Sequence, residues 1–461
     1  MLSAFKSLVY SLLSPIAIPL AYVGAVATFI VSVFRRPEVG LFVLILLIPQ
    51  PNAWYQLHPY PYGKDLIDFL YFGVILGILF VRGGFSASPN GKMLSMFILV
   101  NYFALCNTSI RFSLPFPIST DNELLLDLKN YAEMIGLYFL AYFAVANEKQ
   151  QKTAVTIALL VILIIAVREF RNFSEGAAFS YDRRAEGPFW IVGLGANHLG
   201  AFMAEYGAFA LGVFLLDEHK QRRWLALGAA LFSVHPLFFS YSRGAYVGAL
   251  AALVVLGVLK SRMLLGVVVA LVFTWQTLLP TTVVERISMT ETGGGQLEAS
   301  AAHRLDLWQH AEDLFHENPI FGVGFGGFGF TVPPGETLTD THNFYMRTLS
   351  EQGVIGIVVL ALVLIRALLS GWKLFRVGRS RFHRGIGLGF LACMVACTLM
   401  NLFGDRWSYF VLGGYVFVLW GVVDRAVTLS QESEGVVTVA DESNEVKLQL
   451  TEPNPESGQQ S

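Results

Sequence analysis

The sequence predicts an all-α polytopic membrane protein with about 12–13 transmembrane helices and one large external loop containing an amphipathic helix. Three observations carry this reading. Hydrophobic residues make up 54% of the 461 residues and charged residues only 14%, against about 25% charged in an average soluble chain. Apolar runs approach or exceed the ~20 residues that cross a bilayer core, and they recur along most of the chain. In lipid only helices and closed barrels satisfy every backbone group, so runs of this length read as helices. The net charge of −2 suggests no nucleic-acid partner. Cys106, Cys393 and Cys397 all lie in apolar segments, which implies no disulfide framework.

The expected spans are Ser11–Phe34, Val39–Ile48, Leu66–Val81, Met93–Ile110, Tyr131–Ala146, Thr153–Val167 and Trp190–Leu216, followed by Trp224–Tyr241, Ala245–Leu259, Met263–Leu279, Phe344–Leu369, Gly385–Leu402 and Trp407–Val423. Pro15 and Pro19 interrupt the first, and the second is short for a span. No small-residue cleavage site follows the first apolar run, so it reads as a retained segment. Lys and Arg cluster at Arg35-Arg36, Arg82 with Lys92, Lys149 with Lys152, Lys220 to Arg223, Lys260 with Arg262, and Lys373 to Arg384. With these spans every cluster falls on one side, which the positive-inside rule makes the cytoplasm. The long loop Thr281–Asn343 then lies outside. The tail after Arg425, rich in Glu, Ser, Gln and Pro without aromatics, reads as cytoplasmic and disordered.

The external loop holds four of the nine histidines, namely His303, His310, His316 and His342, together with Arg286 and Arg304. Within it, AAHRLDLWQHAEDLFHEN predicts a helix that Ser300 could cap and Pro319 could stop. Leu307, Trp308, Ala311, Leu314 and Phe315 form its apolar face, with Asp306, His310, Asp313 and Glu317 opposite. Such a helix rests on the membrane surface or packs against the bundle. Gly322, Gly324 and Gly327 match GxGxxG, but no strand–turn–helix unit surrounds them, so the dinucleotide reading fails. Glycines giving a turn beside Phe anchors is the better account, and they also permit close backbone approach to a ligand.

ENPIFGVGFGGF, then THNFYMRTLSEQGVIG ahead of a long apolar helix, resembles the signature region of the O-antigen ligase and O-antigen polymerase family. YSRGAYVGA and HRLDLW are similar to two further family elements, and the resemblance runs from Trp224 to about Ala367. FRRPEVGLFVLILLIP adds a general similarity to the O-glycosylation-ligase branch. The resemblance implies a metal-independent, inverting glycosyltransferase of GT-C-like architecture in the bacterial inner membrane, needing no cofactor. It implies three parts: a bundle over 1–223, a catalytic region over 224–424 including loop 281–343, and the tail 425–461. The implied donor is a glycan on undecaprenyl pyrophosphate, and the acceptor is a lipid-linked, protein or saccharide hydroxyl. By resemblance the functional positions are Arg243, Arg304 and His342.

These residue types suit that chemistry. Arg offers permanent charge and a planar fork matched to phosphate oxygens, so Arg243 and Arg304 would bind the donor and steady the departing pyrophosphate. His342 would take the acceptor proton, and Asn343, next to it in a Thr-His-Asn triplet, would bind substrate. Arg183 and Arg184 form a further basic pair that could touch the donor, although Asp182 and Glu186 allow an ordinary loop-charge role. Asn197 and His198 read as polar groups inside a span, either lining a lipid groove or hydrogen-bonding between helices. A transporter would also have many spans but should carry charges near the midplane, and a non-catalytic subunit would not need the Arg–Arg–His set. Ligase and polymerase need the same base and clamp and differ only in acceptor, so these residues do not separate them.

The predicted orientation has a direct check. A cysteine placed within Glu291–Gln296 should react with a membrane-impermeant thiol reagent added to intact cells, whereas one at position 380, replacing Ser380, should react only after lysis. The reverse pattern would invert the topology.

Overall fold

Helix formation here follows from long apolar runs whose backbone groups have no other partner in lipid. The computed structural model describes residues 2–119, 121–173, 176, 178–289, 291–292, 296–297, 299–332 and 340–451. The helices are α1 Leu2–Phe34, α2 Pro37–Leu47, α3 Pro51–Trp54, α4 Leu66–Val81, α5 Gly91–Arg111, α6 Glu123–Ala144, α7 Glu148–Asn172 and α8 Ala196–Leu216. They continue with α9 Lys220–Phe239, α10 Arg243–Leu259, α11 Arg262–Leu278, α12 Thr281–Ser288, α13 Ala299–Glu317, α14 Phe344–Val377, α15 Arg381–Met400 and α16 Phe410–Thr451. The loop adds a two-residue antiparallel pair in which Glu291 faces Leu297.

Every expected span has a helix at its place, so the protein is an all-α polytopic membrane protein. Among the described residues seven helices are long and apolar enough to cross a membrane, and the pair α11–α12, bent through 102°, makes eight if it counts as one span. Apolar α2, α4 and α10 are shorter. Charge sets α6 and α9 apart: α6 carries Glu123, Asp127, Lys129 and Glu133 in its first half, and α9 opens on Lys220, Arg222 and Arg223. The expected 12–13 spans therefore divide into seven or eight helices long and apolar enough to cross a membrane and a set of shorter or more polar helices. Helix α16 runs on to Thr451, beyond the start of the segment expected to be disordered, and residues 452–461 lie outside the described residues. The Ser300 side chain, expected as a cap, also lies outside them.

At the centre, α15 packs between α8, α10 and α14. Small residues permit this: Gly212 on α8 faces Gly389 on α15, and a Cβ on Gly371 of α14 would lie 2.9 Å from the Leu391 nitrogen of α15. Without a hydrophobic drive between helices in lipid, such backbone approach supplies the dispersion contacts that hold them together. By contrast α11 has no buried residue, and Phe273 is 81% exposed, as befits a face turned to lipid.

The two ends of the bundle differ in chemistry. At one end Arg82 pairs with Glu38 at 3.1 Å and donates to the Ala144 carbonyl, Arg425 donates to the Val145 carbonyl, and His383 bonds Gln151 at 2.9 Å. Arg381 pairs there with Glu218, and Arg222 with Asp217. The basic clusters separated in sequence thus gather at one end. A buried network braces this half: Asn90 and Tyr138 each donate to Asp424 at 2.7 Å, and Asn90 and Trp420 donate to Ser370. The described parts of loop 279–343 and the turns 240–243 and 401–409 sit at the opposite end.

Close packing at Gly389 makes a stability prediction. Gly389→Val should lower the thermal unfolding midpoint of the detergent-purified protein, since overpacking a core costs about 1–3 kcal/mol. Gly266→Val, where an added Cβ would meet nothing within 4 Å, should leave it unchanged. Equal midpoints for both variants would mean that α8 and α15 are not in tight contact.

Candidate active site

The site begins with a break in α14. Gly353 adopts φ 60°, ψ −155° inside that helix, a region essentially restricted to glycine. Where the helix breaks, its carbonyls need other donors, and the glycine-rich segment supplies them. Val323 N–H donates to the Ser350 carbonyl at 2.9 Å, Gly324 N–H to the Glu351 carbonyl at 2.7 Å, and Val354 N–H to the Pro319 carbonyl at 2.9 Å. Gly322, Gly324 and Gly326 all have positive φ. On its far side the strap is held by α5: Thr108 donates to the Phe325 carbonyl at 2.8 Å and Asn107 to the Gly322 carbonyl at 3.1 Å. The glycines thus bring the strap against the protein's own backbone. Phe325 and Phe328 are buried anchors, while Phe321 and Phe330 are exposed.

Helix α13 lies on this strap. Its buried Leu307, Ala311 and Leu314 pack with Val323 and Phe328, and Trp308 Nε1 donates to the Thr341 carbonyl at 2.9 Å. Of the two expected roles for its apolar face, packing against the bundle is the one observed. His310, on the polar face, bonds Thr331 Oγ1 at 3.0 Å.

The Trp308 contact fixes the triplet before α14. Asn343 caps that helix, its Oδ1 accepting from the Tyr345 and Met346 amides, so the side chain expected to bind substrate is engaged in holding the helix start. Thr341 Oγ1 donates to the Asn343 carbonyl at 2.7 Å. His342 between them has φ 50°, left-handed backbone that few non-glycine residues adopt. Its Nδ1 lies 3.7 Å from Asp340 Oδ2, and the imidazole is 31% exposed. Burial lowers the pKa of His342; Asp340 opposes this, and Arg304, Arg406 and His303 add to it. These influences together favour the neutral, proton-accepting form of the ring.

Arg304, one turn before Trp308 on α13, is half-buried and acts electrostatically on both His342 and Arg406. Arg406 was not singled out from sequence. It is buried in the turn between α15 and α16, and burial lowers its pKa. Its Nη1 stands 3.0 Å from His198 Nε2, and Tyr409 packs edge-on to that imidazole at 4.8 Å. The neighbouring Asp405 pairs with Arg347 at 3.2 Å and accepts from the Trp407 and Ser408 amides. A charged dipeptide, Asp405-Arg406, between two apolar runs was the available signal.

A second basic group adjoins the first. Arg184 donates to the Ser240 carbonyl at 2.6 Å and to Asn197 Oδ1 at 2.7 Å; burial and nearby Arg286 push its pKa down to about 10, so it stays charged at neutral pH. Arg183 and Arg184 line a cleft of about 420 Å³ with Asn172 and Phe173. Arg286 on α12 is buried, with its guanidinium 5.3 Å from the Phe179 ring and 5.0 Å from Tyr181. Arg243 opens α10 just after the turn that Arg184 holds, and is half-buried. Its neighbour Gly244 backs onto Phe403 of the 401–409 turn, where an added Cβ would sit 2.9 Å from Phe403 Cβ. Asn197 and His198 prove to lie in the first turn of α8, at the bundle end, because the chain before Ala196 forms a 3-10 turn over Gly187–Val192. They bond arginines of neighbouring segments. Among the described residues no group of three His, Cys, Asp or Glu could hold a metal ion.

Residues 228–361 match the family model described as O-antigen ligase. The match supports the O-antigen ligase and polymerase family, and with it glycosyl transfer of that general type by a multi-pass bacterial membrane protein. The matched segment contains Arg243, Arg304 and His342; Arg184 and Arg406 lie outside it. No curated protein matches the chain.

The charge balance around His342 can be read directly. An NMR titration of ring-labelled histidine should give His342 a pKa below the ordinary ~6.5. Arg304→Gln should raise it by removing a repelling charge, and Asp340→Asn should lower it further by removing an attracting one. Shifts of opposite sign would mean that the Arg304 and Asp340 charges do not act on this ring.

Proposed function

We propose that the protein transfers a glycan from undecaprenyl pyrophosphate to an acceptor hydroxyl at the external face of the bacterial inner membrane. The observation that carries this reading is a half-buried His342 within electrostatic reach of Arg304 and Arg406 at one end of a membrane bundle, partly within the matched segment. The gathering of basic clusters at the other end supports an external site.

In this mechanism the acceptor oxygen attacks the anomeric carbon from the face opposite the pyrophosphate. The new C–O bond forms as the bond to the pyrophosphate breaks, and the configuration inverts. His342 takes the acceptor proton; with Nδ1 turned toward Asp340, the accepting nitrogen is Nε2. The pyrophosphate leaves as an anion, and fixed guanidinium charges at Arg304 and Arg243 stabilise it best because they need no reorganisation as charge develops. Arg406 extends that clamp, and Arg183 and Arg184 border the approach of the donor. The acceptor is a sugar or protein hydroxyl for a ligase, or a second lipid-linked glycan for a polymerase of the same family.

His342→Ala should reduce transfer by about 10²–10⁴-fold, the usual yield of general base catalysis, while purified protein still retains lipid-linked glycan. Arg304→Lys and Arg243→Lys should weaken retention of the donor as well, since lysine keeps the charge and loses the bidentate fork. Unchanged transfer by His342→Ala would remove the base, and unchanged donor retention in both arginine variants would remove the clamp.

A further inference from the structure

Beside the arginine cluster, a cavity of about 590 Å³ lies at the same end of the bundle, between α4, α5, α6, α14 and the 401–409 turn. Its volume is within the ~300–1,000 Å³ typical of small-ligand sites. The lining is strongly acidic: Asp65, Asp68, Asp127, Glu133, Glu351 and Asp405, against Lys64 and Arg347. Internal ion pairs absorb part of that charge, Arg347 with Glu351 and Asp405, and Lys129 with Asp68 and Glu133. No ion pair joins Asp65 or Asp127 among the described side chains. Trp54, Tyr131 and Tyr409 add aromatic faces.

The wall also carries buried amides. Gln352 is 7% exposed and lines the cavity. Its amide nitrogen donates to Asn101 Oδ1 at 3.0 Å, while its Oε1 has no hydrogen-bond partner. That oxygen is shielded against the backbone of α14 near Gly356, so the residue's place in the wall, and not its unmet acceptor, is what it brings to the cavity. Carboxylates, amides and aromatic faces together are the chemistry that binds sugar rings, with hydroxyls donating to the acidic groups and C–H faces resting on the rings. The same carboxylates repel phosphate and uronate, so the cavity is unsuited to the pyrophosphate, which the neighbouring arginines attract.

We infer that this cavity is a saccharide subsite selective for uncharged or amino-bearing sugars over acidic ones. It rests on the glycan-transfer reading, and deepens it by naming the sugar class that reaches His342. Tyr409 joins the two regions, lining the cavity while packing on His198 beside Arg406. Donor glycan and acceptor glycan share this chemistry, and the experiment separates them.

The full-length protein in nanodiscs would be tested for retention of three probes: bare undecaprenyl pyrophosphate, the lipid-linked glycan extracted from the producing cells, and the surface glycolipids of those cells. Asp65→Asn combined with Asp127→Asn, both at exposed positions, should leave the bare lipid bound as in wild type and weaken one glycan probe about tenfold. Loss for the lipid-linked glycan makes the cavity the donor's, and loss for the glycolipid makes it the acceptor's. The affected glycan, with its primary hydroxyls oxidised to carboxylates, should bind wild type about tenfold less well at low salt, and the double amide variant should narrow that gap. Unchanged binding of both glycans by the variant, or equal wild-type binding of native and oxidised glycan, would overturn the inference. Wild-type protein that bound no pyrophosphate lipid at all would instead overturn the proposed function.

Discussion

The break at Gly353 is the constraint on which the end of the bundle that carries His342 is built. A continuous α14 would satisfy its own carbonyls; the glycine-only conformation at 353 leaves those of Ser350 and Glu351 to accept from the strap. Any side chain at Gly353 would also meet the Ile320 carbonyl oxygen, 2.5 Å from the position of a Cβ. The strap gives α13 a surface to pack on, α13 places Trp308 against Thr341, and Thr341 sets the turn that carries His342. One backbone irregularity is thereby transmitted through hydrogen bonds and a small apolar cluster to the imidazole.

Electrostatics around that imidazole is a balance of close opposites. Several arginines converge at one end of an apolar bundle, where each unpaired charge costs free energy. The chain meets that cost locally: Arg347 with Glu351 and Asp405, Arg406 with His198 and the Asp405 carbonyl, Arg184 with Asn197 and the Ser240 carbonyl. Arg406 and Arg184 are held mainly by neutral acceptors, so their charge is only weakly cancelled and stays available to an anion. Arg347 is cancelled by two carboxylates, and accordingly faces the acidic cavity rather than the His342 group. Adjacent residues 405 and 406 thus separate a negative region from a positive one.

Much of the architecture is legible in the sequence because apolar length and helical periodicity act locally. All the expected spans correspond to helices, α13 buries Leu307, Ala311 and Leu314 as its spacing dictates, and Asn343 sits at a helix start. Charge within α6 and α9, and the shortness of α2, α4 and α10, set these helices apart from the seven or eight that length and apolarity alone mark as able to cross a membrane.

What the sequence by itself determined is therefore the membrane class, the order of helices, the segregation of basic residues to alternate connections, and the segment around Arg243, Arg304 and His342 that the family match also covers. Those properties depend on residues near one another in the chain. Tertiary structure alone decided that the glycines of 322–326 serve a strap on α14, that Asn197 and His198 belong to the bundle end, and that Arg406 and Arg347 flank the site. Each of these depends on a partner outside its own helix: Arg406 meets His198 across 208 positions, and Gln352 meets Asn101 across 251. Pairings at such separations are set by how the helices pack, and helix packing is fixed by the joint fit of many side chains that no local pattern encodes.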